Sequence, residues 1–139
     1  MLSWSYVCDR MASSRNYWVA TTRPDGRPHS MPVWGIWLDE TFCFATDLGS
    51  QKARNLAVSP KVVVHLESAD EVVLIEGDAE VILDQGLLKR FIDAYDAKYQ
   101  IRPSAGDGST RIYRLRPRVA FAWLEQDFPG TATRWRFQN

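Results

Sequence analysis

Hydrophobic and polar positions change their period along the chain, and the changes mark out the elements. Leu2, Tyr6, Val7 and Met11 recur at roughly helical spacing, which predicts a short amphipathic helix over residues 2–14. Residues 17–22 (YWVATT) are aromatic and β-branched, the composition of a strand. Arg23-Pro24-Asp25-Gly26 follows as a turn, with proline presetting φ and glycine free to take positive φ. Strand character resumes over 27–38, where Pro28 and Pro32 cannot donate to a ladder and so argue for an edge or a bulge. Asp39-Glu40 breaks the run, and 41–46 (TFCFAT) is expected to pair back antiparallel.

Beyond this hairpin, Ser50 is placed to cap a two-turn helix over 51–58 (QKARNLAV), which Pro60 stops. Residues 61–67 read as a strand, 68–71 as a hairpin turn, and 72–83 as a long strand with Gly77 at a bulge. Leu87, Leu88, Phe91, Ile92, Tyr95 and Tyr99 form one stripe and predict an amphipathic helix over 85–99. Residues 101–109 read as a Pro/Gly/Ser loop, 111–116 and 119–124 as two strands, and 126–139 as a loop carrying the run TRWRF. About six or seven antiparallel strands with one substantial helix have no βαβ rhythm, which excludes a doubly wound layout. The pattern predicts a single mainly β domain over residues 1–139, a β-barrel with helices.

Composition narrows the function. Lys+Arg and Asp+Glu are each 17, so the chain lacks the basic excess of a nucleic-acid binder. Cys8 and Cys43 are far apart and read as reduced thiols, and His29 and His65 are too separated for a His-rich metal site. No basic segment followed by an apolar run opens the sequence, and no stretch reaches the ~20 apolar residues of a membrane span. A soluble, cytoplasmic protein is expected. Six tryptophans in 139 residues point to a large packed interface or a stacking site for a flat ligand.

The strongest local chemistry lies in residues 46–56 (TDLGSQKARNL). Here a strand end, a glycine turn and a helix start bring the Thr46 and Ser50 hydroxyls and the Lys52 ammonium to helical backbone N–H groups, a set suited to a phosphate dianion. By spacing alone the same residues also read as an ordinary capped helix with solvated Lys52 and Arg54.

The segment resembles the phosphate-binding segment of the pyridoxamine-phosphate-oxidase-like flavin/deazaflavin split-barrel superfamily, with its T-x-x-x-S-x-K pattern and with Ser59-Pro60 at the family's Asn-Pro step. The resemblance continues upstream in TTRPDGRPHSMPVWGIW and downstream in VVVHLESADEVVLIEGDAEVILD and RPRVAFAWLE. It implies a six-stranded antiparallel split barrel of the FMN-binding type. It further implies that Ser30, Met31, Pro32, Val33 and Trp34 lie along the ring system, that Ala45 and Thr46 flank the ribityl chain, and that Ser50, Gln51 and Lys52 hold the phosphate, with Asn55 supporting the turn. The family pocket forms at a twofold interface, so the resemblance implies a homodimer in which Trp123 and Arg134 approach from the second subunit; core packing is the competing reading of Trp123.

True pyridoxamine-phosphate oxidases carry an Arg-x-His pair near the C-terminus, where this chain has Arg134-Trp135-Arg136. The departure favours the deazaflavin-using branch: an oxidoreductase moving hydride between bound coenzyme F-420, or alternatively FMN, and a small-molecule substrate. Arg23, Arg27, Arg54 and Arg136 are candidates for that coenzyme's anionic tail. An FMN-dependent reductase, a non-catalytic flavin-binding stress protein and a haem-binding pocket are the rival readings.

Overall fold

The computed structural model describes residues 1–103 and 108–138. Helix α1 (Trp4–Ser13) starts at Ser3, whose hydroxyl accepts from the Tyr6 amide at 3.2 Å. Strands β1 (Tyr17–Thr22), β2 (Pro28–Val33), β3 (Ile36–Leu38) and β4 (Thr41–Asp47) follow, then α2 (Gln51–Val58) with Ser50 as its cap. Strands β5 (Lys61–His65) and β6 (Glu71–Val81) lead to α3 (Gln85–Tyr99) and to β7 (Thr110–Leu124). A 3-10 turn, the short helix α4 (Phe128–Thr131) and β8 (Thr133–Arg136) complete the order.

All strand pairs are antiparallel, in the order β2-β1-β5-β6-β7-β4-β3, with β8 joined to β7. The fold is a mainly β, curled antiparallel sheet of the split-barrel type, as the sequence predicts. Among the described residues, eight strands rather than six form it. Pro28 and Pro32 lie on β2 at an edge, where a missing donor costs no ladder bond. Gly26 takes the positive φ its turn needs, at 92°.

Beyond shifts of one or two residues at element ends, three features differ from the expectation. The run 27–38 divides into β2 and β3 around Trp34-Gly35, because its first half pairs with β1 and its second with β4, and a Cβ at Gly35 would collide with the Phe42 ring. The two strands expected at 111–116 and 119–124 are one strand, interrupted by a bulge instead of a turn. Glu76 pairs with Val119 and Gly77 with Pro117, so the extra residue is Arg118 on β7, not Gly77. Gly77 permits the close approach, since a Cβ there would meet the Arg116 carbonyl. Finally, the expected terminal loop contains α4 and β8, because Trp135 packs inward against Trp4. The expected 101–109 loop includes positions 104–107, outside the described residues.

Two apolar clusters hold the sheet. Val7 and Met11 of α1 pack on Tyr17, Val19, Phe42, Phe44, Val64, Ile75 and Leu115. On the other side of β4, Leu87, Phe91 and Tyr99 of α3 cover Ile36, Cys43, Ile82 and Ile112. The inward face of β1 carries Tyr17, Val19 and Thr21, which leaves Trp18 and Ala20 on the sheet's outer face.

Candidate functional site

At the end of β4 the chain turns through Leu48-Gly49 and enters α2 at Ser50. The Ser50 hydroxyl accepts from the Ala53 amide at 3.1 Å and hydrogen-bonds Thr46 Oγ1 at 3.1 Å. Helix geometry leaves the amides of Gln51 and Lys52 without intrahelical partners, at the positive end of the helix dipole. Asn55, fully buried, donates through Nδ2 to Thr21 Oγ1 at 2.9 Å and accepts from Gln51 Nε2 at 2.7 Å. These bonds bind α2 to β1 and fix where its first turn sits.

The Lys52 side chain is buried along its stem, and its ammonium reaches solvent at the tip. Its exposure is 9%, and among the described residues it has no ion pair or hydrogen bond. Burial holds its ammonium below the ordinary lysine value. A nearly buried lysine without a carboxylate is unfavourable in the fold taken alone. Beside it on β2 is His29, whose pKa is lowered by burial and then by the Arg23 and Lys52 charges. Sequence places His29 at the pocket rim or on the surface; a lone histidine on an edge strand gives no sign of the helix packed near it.

Thr46, Ser50, Gln51, Lys52 and Asn55 therefore come together as one cationic, hydroxyl-bearing helix start. A phosphate fits this donor set. Ala45 lies just before it on β4 and packs towards the α3 cluster. Arg54 folds back onto Gly49 O and Gln51 Oε1, each at 2.8 Å, and so steadies the turn. Arg27 pairs with Asp25 at 2.8 Å, and Arg23 donates to Pro28 O at 2.9 Å.

Along β2 the expected ring-binding residues divide. Ser30 and Pro32 stand opposite Ala20 and Trp18 on the outer face, whereas Met31 and Val33 stand opposite Val19 and Tyr17. Trp34 is taken up elsewhere: it stacks on Tyr99 with centroids 4.4 Å apart at 2°, and its Nε1 donates to Asn16 Oδ1 at 3.1 Å. Arg15 covers the Trp34 face at 5.1 Å. Lys98, half-buried beside this stack, donates to Tyr17 OH at 2.8 Å and Gly35 O at 3.0 Å. Burial, with the Arg15 charge, lowers its pKa to about 8.

Trp123 is on the outer face of β7, edge-on to Phe128, not in the inward core. Arg134 is exposed on β8 opposite Phe121. The ladder registers join these residues into one outer row: Pro32, Trp18, His65, Leu74, Phe121, Arg134. The next row is Ser30, Ala20, Val63, Glu76, Val119, Arg136, over which lies a groove of ≈ 400 Å³. Pro32 and Arg134 are thus five strand spacings apart, about 24 Å along the sheet. Within one chain they do not share a site.

Among the described residues no cluster of three or more His, Cys, Asp or Glu could hold a metal, and no helix is long and apolar enough to cross a membrane.

Comparison with known proteins agrees with this fold. A pyridoxine/pyridoxamine 5'-phosphate oxidase of Shewanella sp. (strain MR-7) is 36% identical over 77 residues, which cover 53% of this chain and 36% of that relative. The match thus spans about a third of the curated relative's length. A conserved hypothetical protein from Mycobacterium tuberculosis superposes with TM-score 0.76 at 26% identity, covering 92% of this chain and 88% of that one. An F420 reductase has the same fold, with TM-score 0.65 at 22% identity and coverage of 81% and 93%. The sequence pattern of the pyridoxamine 5'-phosphate oxidase family matches residues 9–124, which take in strands β1 to β7 and the whole α2 turn. The chain belongs to the pyridoxamine 5'-phosphate oxidase family.

Proposed function

We propose that this chain is a flavin- or deazaflavin-dependent oxidoreductase that holds the phosphate of its cofactor at the start of α2 and works as a homodimer. The observation that carries the reading is Lys52: nearly buried, without a carboxylate, beside free helix amides. Such a site is costly without an anion and favourable with one.

The bound cofactor supplies hydride transfer itself; the chain supplies position and dryness. Lys52, the Gln51 and Lys52 amides and the Thr46–Ser50 hydroxyl pair would hold the phosphate, with Asn55 fixing the helix that presents them. Ser30, Met31, Pro32 and Val33 would follow the ring along β2. Trp34, stacked on Tyr99, would brace the end of that strand. No side chain is assigned as acid or base.

The outer rows support the dimer. Trp18, at 37% exposure, and half-buried Leu74 and Phe121 leave an apolar band that a second copy would cover. A twofold packing of this face would bring Arg134 and Trp123 of one subunit towards Pro32 of the other, closing the 24 Å gap. The F420 reductase likeness and Arg136 in place of the family's histidine favour coenzyme F-420, with FMN the alternative.

Spectroscopic titration with both cofactors tests the reading. Binding of either supports it, and tighter binding of F-420 fixes the class. FMN binding tenfold tighter, about 1.4 kcal/mol, reverses the preference. Failure to bind both overturns the proposal.

A further inference from the structure

His29 Nδ1 is shielded from solvent and has no hydrogen-bond partner among the described residues, a state that buried ring nitrogens rarely keep. The residue lies on β2 opposite Thr21, on the side of the sheet where Asn55 of α2 reaches Thr21. The groups acting on its charge are Arg23, from the turn joining β1 to β2, and Lys52, from α2; both are cations. Arg23 is held there by its bond to the Pro28 carbonyl at 2.9 Å. Three basic side chains from three segments thus share one corner, and none of the ion pairs among the described residues brings a carboxylate to His29 or Lys52. The sharing is unfavourable unless something of opposite sign sits among them.

We infer that His29 is a second ligand of the anion site: its ring N–H donates to a phosphate monoester already held by Lys52 and the α2 amides. This rests on the phosphate assignment above and adds a proton-linked ligand to it. A dianion reverses the sign of His29's surroundings, so the imidazole takes up a proton as the phosphate binds. Affinity therefore falls as pH rises from 6.5 to 8.5, a range in which the phosphate itself is mostly dianionic.

The probe is FMN, with riboflavin as the version lacking phosphate. In the wild type, FMN affinity should fall about tenfold between pH 6.5 and 8.5. In His29→Gln it should be nearly flat and about tenfold weaker at pH 6.5, while riboflavin binds both proteins alike. NMR titration of the two imidazoles in the wild type, assigned with His65→Asn, provides a check that does not depend on the variant folding. The His29 pKa should rise on FMN addition and stay put on riboflavin addition. An unmoved His29 pKa with FMN bound overturns the inference, as does equal weakening of riboflavin and FMN by His29→Gln. If Lys52→Met abolishes FMN binding and His29→Gln does not change it, only the His29 assignment falls. If wild-type protein binds FMN no better than riboflavin, the phosphate reading falls first.

Discussion

Thr21 and His29 stand opposite each other in the β1–β2 ladder, and only one of the two side chains is satisfied. Thr21 Oγ1 accepts from Asn55, whereas His29 Nδ1 has no partner among the described residues. Both depend on α2, which sends an amide to the first and a cation to the second. Asn55 anchors the helix, and Lys52 one turn earlier works against that anchor. The two residues should respond to substitution with opposite sign.

Asn55→Ala removes a buried amide and leaves Thr21 short of a donor, a loss of about 1–3 kcal/mol. Lys52→Met should instead stabilise the cofactor-free protein. Burial lowers the Lys52 pKa, so its penalty is full at neutral pH and fades only as pH rises through the folded value towards the unfolded ~10.4. Relief of about 1 kcal/mol would raise the melting temperature by roughly 3 °C. The same variant should lose ten- to a hundredfold in FMN or F-420 affinity, as expected for a charge-assisted bond worth roughly 1.5–3 kcal/mol. Thermal melts and titrations on one preparation measure both; a destabilised variant that still binds would refute the assignment.

Lys98 offers a pH test of the fold. Its pKa of about 8 lies below the unfolded value, so the folded state disfavours its charge at neutral pH. Its contribution to stability should increase between pH 8 and about 10.4, by about 1 kcal/mol once partial exposure is allowed for. Urea titrations of wild type and Lys98→Met at pH 7.5 and 9.5 check this. The gap between the two proteins should shift towards the wild type at the higher pH.

Much of this architecture is legible in the sequence where one segment decides its own conformation. The Ser50 cap, the Gly26 turn and the α3 stripe depend on residues within a few positions of each other. What escapes is set by distant partners. Spacing alone leaves Lys52 open between a phosphate ligand and a solvated cation, because its burial depends on how α2 docks on β1 through Asn55. β8 is missed because four residues carry little period, and its strand state follows from pairing with β7 and from Trp135 reaching Trp4.

Gly77→Ala should cost about 2–4 kcal/mol, since the added methyl meets backbone at Arg116 that cannot swing aside. Chemical denaturation measures the loss. Gly49→Ala is the contrast, with open space around the added methyl and little expected change.

Trp18→Glu places a charge in the outer apolar row. Sedimentation should show a dimer for the wild type and a monomer for the variant at micromolar concentration, with the circular dichroism unchanged. Cofactor affinity should fall with the dimer. A variant that is monomeric and binds as tightly as wild type would remove Trp123 and Arg134 from the site.

The bulge at Arg118 also bears on how the chain tolerates changes of length. Pro117 faces inward, Arg118 and Val119 both lie outside, and Ala120 is inward again. Losing Arg118 would restore strict alternation and leave every other side chain of β7 on its present face. Losing Val119 instead would do the same, whereas losing any residue in 120–122 would turn the rest of the strand over and bury Trp123. Within this strand, then, the bulge is where a residue can be lost without inverting the protein's inside and outside.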